Sequence, residues 1–310
     1  MLHVLAGMTL LPAVRPSAPP QPRSGPGGAD YAFDSVKAHL YKEDGKFWIF
    51  EPADPKPSTA PVIAFVPGWG GIHPAPYRAW IDHLVRHGHI VVYPIYQSSL
   101  LEFPWRFTAN SVARMKGAMR RLRRRNHVAP DWERFAIVGH SAGGFVSANL
   151  AAEWKKNRLP QPRALMTVQP GLGKLGGLSD LSQLDSSTLL LSVGGDEDAV
   201  VGCRDAMRIY REATHVPARN RNYVLFRTDR YGWPWMHSGH FSPCSLGKGQ
   251  SHAVDWYGYW KLFDGLCDAA FYGKNRRYAL GNTPQQRFMG FWSDGTPVRE
   301  LLVIDDPDRI

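Results

Sequence analysis

The residues best suited to chemistry lie in a glycine-rich segment near the middle of the chain, Gly139-His140-Ser141-Ala142-Gly143, followed by Gly144. A serine at a sharp strand-to-helix turn projects its hydroxyl above a sheet, and glycine neighbours let strand and helix approach closely. The N-terminus of the following helix favours negative charge developing at that point. The pattern predicts that Ser141 is a nucleophile. The alternative is a purely structural turn of a nucleotide-binding fold, but no Gly-x-Gly-x-x-Gly follows the first strand.

A nucleophilic serine needs a base, and the base needs an acid that orients it. With this kind of turn, the acid follows the serine in the chain, at the end of a later strand. The loop after the apolar stretch 188–193 contains two aspartates, Asp196 and Asp198. Asp198 is the predicted acid because a glycine precedes it by three residues and a valine pair follows. Asp196 is the alternative, and a turn in which Asp side chains bind backbone amides is the structural alternative.

The base should be a histidine that follows the next apolar strand, Tyr223–Phe226. Three histidines satisfy this order: His237, His240 and His252. His240 is predicted, since it lies in the glycine-hinged loop Gly239-His240-Phe241. His252 begins a helical segment, where a capping or surface role is the simpler interpretation.

Acyl transfer through a serine also requires two hydrogen-bond donors that stabilise the tetrahedral oxyanion. The backbone N–H of Ala142, directly after the nucleophile, is the first candidate. The second is the backbone N–H of Trp69 in the loop Pro67-Gly68-Trp69-Gly70-Gly71, which follows the first central strand. A glycine-rich turn without a catalytic role is the alternative for this loop.

The elements that must position these residues follow an alternating pattern. A hairpin is predicted over Val36–Phe50, and apolar strands then appear at Val62–Val66, Ile90–Tyr93, Phe135–Val138, Ala164–Val168, Thr188–Val193 and Tyr223–Phe226. Helical segments are predicted at Tyr77–His87, about 107–126, Gly144–Trp154 and His252–Phe271. Short apolar strands separated by helices predict an α/β fold with a mostly parallel central sheet and helices on both faces.

The two ends of the chain differ from this pattern. Residues 1–30 are predicted to be a flexible leader, 31–272 the catalytic domain, and 273–310 a C-terminal extension packed on that domain. The apolar stretch Leu2–Val14 has the length of a signal-peptide core, but no Lys or Arg precedes it and a clean cleavage site is missing. Secretion or a periplasmic location is therefore one expectation, and a cytoplasmic location stays open. No stretch is long enough for a membrane span.

Charge and cysteine content narrow the class of protein further. The net charge is +10, and part of the excess lies in the run Arg120–Arg125. Cations at the end of a helix complement its dipole, and no zinc-finger or RNA-binding motif accompanies them, so no nucleic-acid partner is predicted. Cys203, Cys244 and Cys267 have no metal-binding spacing. A disulfide between Cys203 and Cys244 is one possibility, and free thiols are the other.

Over about residues 60–270, these motifs together resemble the α/β-hydrolase superfamily, closest to its dienelactone-hydrolase, chlorophyllase and bacterial cutinase-like branch. The resemblance implies a Ser-Asp-His triad of Ser141, Asp198 and His240, no metal and no organic cofactor. It also implies that the Trp69 backbone N–H donates to the oxyanion and that its side chain lines the acyl pocket. Dienelactone hydrolases use cysteine where this chain has Ser141, which favours esterase chemistry. Residues after 272 have no counterpart.

The expected function is therefore cleavage of carboxylic esters through an acyl-serine intermediate. The alternatives are an amidase or peptidase with the same triad, and a non-catalytic binding protein of the same fold. Besides Trp69, the candidate substrate contacts are His140, Trp233 and Trp235, although the two tryptophans could equally be core residues. Only about eighteen residues separate the predicted strands Ala164–Val168 and Thr188–Val193, so no large lid over the site is expected. Small or polymeric esters both suit such an open site, and the oligomeric state stays open.

Overall fold

The computed structural model describes residues 15–43, 45–172, 175–245 and 251–306. Its central feature is one sheet of nine strands in the order β1-β2-β4-β3-β5-β6-β7-β8-β9. The strands are β1 Val36–Tyr41, β2 Phe47–Pro52, β3 Thr59–Val66, β4 Ile90–Pro94, β5 Ala129–His140, β6 Pro162–Val168, β7 Leu189–Gly195, β8 Arg221–Phe226 and β9 Leu302–Ile304.

Strands β3 to β8 run parallel to one another, and antiparallel pairing occurs only where other strands join them at the two edges of the sheet. At one edge β1 and β2 form an antiparallel hairpin, and β2 pairs antiparallel with β4. At the other edge β9 pairs antiparallel with β8. The predicted α/β fold with a mostly parallel sheet is confirmed, and so is the N-terminal hairpin.

Most helices lie in the connections between parallel strands, and the last two lie between β8 and the antiparallel β9. The helices are α1 Arg78–Arg86, α2 Phe107–Leu122, α3 Ala142–Ala152, α4 Trp154–Asn157, α5 Arg204–Glu212, α6 Lys261–Tyr272 and α7 Pro284–Arg287, with a π-helical turn at Asp255–Trp260 leading into α6. The described helices include none that is both long and apolar enough to cross a membrane.

The core lies on both faces of the sheet, since parallel strands are covered on each side. Strand β4 is buried along its whole length, and so is helix α3, which is built largely of small and apolar residues. Small residues let α3 pack closely behind β5 and β6. Because α3 begins directly after Ser141, this packing fixes the position of the serine.

The N-terminal segment differs from the sequence expectation within the described residues. The composition predicts a flexible leader through residue 30, but the chain from residue 15 lies along the domain. Trp233 N–H donates to Pro16 O at 2.8 Å, and Gly27 N–H donates to Asp264 Oδ2 at 2.8 Å. These contacts come from sequence-distant loops and helices, which local composition does not reveal. The apolar stretch Leu2–Val14 lies outside the described residues.

Residues 273–306 lie against the sheet edge and against α6. Strand β9 extends the sheet by pairing Leu302 with Leu225. The Lys261 ammonium on α6 donates to the carbonyls of Gln286 and Phe288, at 2.9 and 2.6 Å. The segment thus completes one sheet edge and satisfies a buried cation. The three cysteines are free, so Cys203 and Cys244 form no disulfide in this structure.

Candidate active site

Ser141 occupies the turn between β5 and α3. Its backbone has φ 56° and ψ −127°, a combination that non-glycine residues rarely adopt. Hydrogen bonds offset the strain: Ser141 N–H donates to Val168 O at 2.9 Å, and Ser141 O accepts from Gly144 N–H at 2.9 Å. The turn is thus held by the neighbouring strand β6 and by the first turn of α3.

Two glycines of the motif are required by close packing. A Cβ on Gly139 would lie 2.2 Å from Ser147 Oγ, and a Cβ on Gly143 would lie 2.1 Å from Pro67 O. Both contacts are far below the van der Waals distance, so any side chain would push strand, helix and loop apart. The Gly-x-Ser-x-Gly spacing therefore has a steric cause in this fold.

Two hydrogen bonds in series join Ser141 to His240 and His240 to Asp198. His240 Nε2 is 2.9 Å from Ser141 Oγ, and His240 Nδ1 is 2.8 Å from Asp198 Oδ2. The other carboxylate oxygen of Asp198 accepts the backbone N–H groups of Val200 and Val201, at 2.9 and 3.0 Å. All three side chains are buried to nine-tenths or more. The structure thus brings together the three residues singled out from the sequence.

Asp196, the alternative acid, has a different set of partners. Its carboxylate accepts hydrogen bonds from the Thr228 amide and hydroxyl and from the Ser238 hydroxyl. It has no hydrogen bond to His240 among those of the described residues. Since Ser238 lies two residues before His240, Asp196 holds the histidine loop in place.

The two alternative histidines are also engaged elsewhere. His237 Nε2 is 3.1 Å from the carboxylate of Glu197 at the protein surface. His252 donates its backbone N–H to Asp255 Oδ2 at 2.8 Å, at the start of the last long helical stretch. Neither histidine is paired with Ser141.

The loop after β3 lies beside Ser141 and includes Trp69, whose amide is the candidate oxyanion donor. Four amides of this loop donate to protein acceptors, namely Gly68 to the Tyr77 hydroxyl, Gly70 to Gln97 Oε1, Gly71 to Gly68 O and Ile72 to Gly70 O. Within the described chain, the Trp69 N–H has no such partner. A Cβ on Gly68 would lie 3.2 Å from Ser141 Cβ, so the loop touches the nucleophile. The Ala142 amide, first in α3, has no acceptor within its helix.

A buried network, which the sequence did not reveal, joins the Trp69 loop to the histidine loop. The Tyr77 hydroxyl accepts from Gly68 N–H at 3.0 Å and lies 2.8 Å from His140 Nδ1. His140 Nε2 lies 2.8 Å from His240 O. These contacts assign the tautomer: Nε2–H donates to the carbonyl, and Nδ1 accepts from Tyr77. Burial, together with repulsion from His240, lowers the pKa of His140 to about 3, so its ring is neutral.

This network limits how His140 could contact a substrate. His140 is among the residues that line the cleft beside Ser141, but its side chain is buried and both ring nitrogens are bound by protein groups, so neither nitrogen is left for a ligand. The sequence pattern predicts Tyr77 only as the first residue of a helix. Its contact with His140 spans 63 residues, so no local sequence signal could have identified it.

Comparison with known proteins agrees with the fold. A protein-family model described as Chlorophyllase matches residues 38–189. The chain belongs to the α/β-hydrolase superfamily. No curated protein shows significant sequence similarity to it. The matched region runs from β1 to the first residue of β7 and includes Trp69 and Ser141, whereas Asp198 and His240 lie beyond it. The match indicates a hydrolase of the α/β-hydrolase type.

Like other α/β hydrolases, the chain has its candidate nucleophile at the carboxyl end of the parallel strands, where a cleft of about 330 Å³ opens to solvent. Ser141 and His240 form its floor, and Trp69, Val200 and Phe241 form an apolar rim. These three rim side chains are 42, 61 and 59% exposed. The Trp69 indole is held in place because Nε1–H donates to Leu100 O at 3.2 Å.

Trp233 and Trp235 do not line this cleft, contrary to the sequence expectation. Trp233 N–H is bonded to the N-terminal segment at Pro16, and the Arg230 guanidinium lies 5.5 Å from the Trp235 ring. Both indoles are exposed, and the aromatic loop of this α/β hydrolase is bonded to its N-terminal segment at Pro16. Phe241, which follows the histidine directly, supplies the aromatic surface that the sequence interpretation assigned to the tryptophans.

Proposed function

We propose that this α/β hydrolase is a serine esterase that cleaves carboxylic esters through an acyl-serine intermediate. The observation that carries the proposal is the aligned set of contacts from Ser141 Oγ to His240 and from His240 to Asp198, at 2.9 and 2.8 Å. A nucleophile, a base within hydrogen-bond reach, and an orienting acid are the parts that nucleophilic acyl transfer requires.

In the first half-reaction, His240 Nε2 takes the proton from Ser141 Oγ as the oxygen attacks the ester carbonyl carbon. Negative charge develops on the carbonyl oxygen, and the free amides of Trp69 and Ala142 are the donors for it. The intermediate then collapses and breaks the bond to the alcohol oxygen. His240 returns its proton to that oxygen, so the alcohol leaves neutral and the acyl group stays on Ser141.

In the second half-reaction, His240 takes a proton from water, and the hydroxide formed attacks the acyl-serine. Collapse releases the carboxylic acid and returns the proton to Ser141 Oγ. Asp198 keeps Nδ1–H of His240 pointing towards itself, so Nε2 faces the serine throughout. Because Asp198 also accepts two backbone N–H groups, its carboxylate cannot rotate away from the histidine.

The rim of the cleft favours an ester with an apolar acyl or alcohol group. Trp69, Val200 and Phe241 present apolar surface beside Ser141, and burial of such surface contributes about 25 cal/mol per Å². Among the described residues, no Asp, Glu, Lys or Arg side chain lines the cleft. The open cleft suits a small ester or one ester group of a polymer.

The proposal is tested with p-nitrophenyl acetate, butyrate and octanoate on the wild-type protein and on Ser141→Ala. We expect hydrolysis by the wild type, and a loss of about 10⁶-fold in kcat for the variant at unchanged thermal stability. A fluorophosphonate probe should label the wild type at Ser141 only. Absence of both labelling and turnover would indicate a binding protein, and faster cleavage of the matching anilides would indicate an amidase.

A further inference from the structure

A group of residues suited to metal binding lies away from the candidate active site, at the other end of the parallel strands from Ser141. Helix α1 begins after the carboxyl end of β3 and ends before the amino end of β4. His83 in its last turn and His87 directly after it therefore lie at the amino end of the parallel strands, whereas Ser141 lies at their carboxyl end. Helix α6 contributes Asp264 to the same place.

The three side chains converge on one point. His83 and His87 are one helical turn apart, so both rings face the same side of α1. Each of the two histidines and Asp264 offers a ligand atom, and these three atoms lie within 4.8 Å of one another. His83 Nε2 and Asp264 Oδ2 are 2.8 Å apart, which is the separation of a hydrogen bond.

An unpartnered buried oxygen points to something missing from this cluster. Asp264 is only 9% exposed, yet its Oδ1 has no hydrogen-bond partner among the described residues. Buried carboxylate oxygens are almost always bonded, because an uncompensated charge in the interior is costly. Oδ2, by contrast, contacts His83 and accepts Gly27 N–H at 2.8 Å. A cation that binds the carboxylate would satisfy the orphaned oxygen.

In metal sites, the ring nitrogen of a histidine that does not bind the metal is usually hydrogen-bonded to a protein group. Both imidazoles of this cluster have such a bond. His83 Nδ1 lies 3.2 Å from the Tyr31 hydroxyl, and His87 Nε2 lies 3.2 Å from Gly28 O. Each ring thus keeps one nitrogen for a ligand bond. Tyr31, Gly27 and Gly28 all belong to the N-terminal segment, which crosses over the cluster.

The types of ligand atom also indicate which metal the cluster would bind. Two imidazole nitrogens and a carboxylate oxygen lie within 4.8 Å of one another. This set favours zinc or a neighbouring transition metal over calcium or magnesium, which prefer oxygen ligands only.

We propose that His83, His87 and Asp264 bind one Zn²⁺-like transition-metal ion, which ties the N-terminal segment and α6 to the end of α1. The ion replaces the His83–Asp264 hydrogen bond with bonds from each residue to the metal. Three protein ligands leave further coordination to water. Since the site lies at the amino edge of the sheet, its role is to stabilise the fold and not to take part in ester cleavage.

The test uses the full-length protein, stripped with a chelator and then titrated with Co²⁺ and with Zn²⁺. We expect one Co²⁺ per chain with visible d–d absorption. Zn²⁺ at ~100 times its Kd should raise the Tm by about 4 °C for a chain of this length. His87→Ala should abolish both signals. His215→Ala, which removes an exposed histidine elsewhere, is the matched control and should keep them.

Asp264→Asn is the second variant, because an amide oxygen can still accept from Gly27 N–H while metal affinity falls. Circular dichroism of the metal-free variants establishes that they are folded. If neither metal binds the wild type in stoichiometric amount, the proposal is wrong. It is also wrong if His87→Ala and Asp264→Asn, both folded, retain the Co²⁺ spectrum, since the metal would then lie elsewhere. Ser141-dependent esterase activity is measured separately and does not enter this outcome.

Discussion

The hydroxyl of Tyr77 should be needed for turnover although it does not face the substrate. Tyr77→Phe keeps the ring in its packing but removes the group that accepts Gly68 N–H and donates to His140 Nδ1. Gly68 directly precedes the proposed oxyanion donor Trp69, and His140 holds the carbonyl of His240. The substitution therefore loosens both loops that surround Ser141.

The expected size of the effect follows from the two groups left without partners. A buried unsatisfied donor or acceptor costs about 1–3 kcal/mol, so two of them cost about 3 kcal/mol if the structure partly relaxes. With an unfolding entropy of about 0.65 kcal/mol/K for 310 residues, the Tm falls by roughly 5 °C. Complete loss of an oxyanion donor costs about 10²–10³ in kcat. Because the Gly70–Gln97 bond still anchors the loop, we expect a fall of about 10-fold.

The assay combines thermal unfolding with steady-state kinetics on p-nitrophenyl butyrate. Tyr210→Phe is the control, since the Tyr210 hydroxyl is buried but has no hydrogen-bond partner among the described residues. Its removal should not lower the Tm, since it relieves an unsatisfied group, and it should leave kcat nearly unchanged. If Tyr77→Phe lowers the Tm but leaves kcat within twofold, the network is only structural. An unchanged Tm would refute the hydrogen-bond assignment itself.

Three further outcomes follow from individual contacts. Asp198→Asn should lower kcat about 10⁴-fold by reversing the histidine tautomer, whereas Asp196→Asn should mainly lower Tm; equal kinetic losses would contradict these roles. Trp69→Ala keeps the backbone donor, so we expect unchanged acetate turnover but about 10-fold lower kcat/KM for octanoate in a chain-length series. Burial raises the pKa of Asp255 to about 7 in the folded protein, whereas the ordinary value of 3.8 applies to the unfolded chain. Between pH 4 and 7 the folded state therefore holds a proton that the unfolded state has lost, and the protein loses stability as the pH rises through this range. In urea unfolding, the free energy of unfolding of Asp255→Asn should exceed that of the wild type by up to about 4 kcal/mol at pH 8 and should equal it at pH 4.

The parts of the site that could be predicted from the sequence are those fixed by local geometry. The turn at Ser141 needs an apolar strand, a tight bend and small residues in immediate succession, and all three are visible in the sequence. The alternation of strands and helices gave the parallel sheet for the same reason. Once the sheet is parallel, every loop after a strand ends at the same edge. Chain order alone then brought Asp198 and His240 towards Ser141.

The direction in which a loop packs could not be predicted in this way. Trp233 and Trp235 precede the histidine by only a few residues, which suggested a place at the cleft. Their position instead depends on Pro16 and Arg230, and the contact with Pro16 joins residues more than 200 apart in sequence. The same holds for the Tyr77–His140 contact and for the N-terminal segment. Each depends on partners that no local pattern specifies.

The two aspartates after β7 show why composition alone could not separate an acid from a structural residue. Both are carboxylates on one loop, and both accept backbone amides. Asp196 points towards Thr228 and Ser238, so it fixes where the histidine loop lies. Asp198 points towards the imidazole itself, so it fixes how the ring is turned. A triad needs both properties, because a histidine in the right place but the wrong tautomer cannot accept the serine proton. In the proposed mechanism the two aspartates thus have separate roles, and of the two only Asp198 contacts His240.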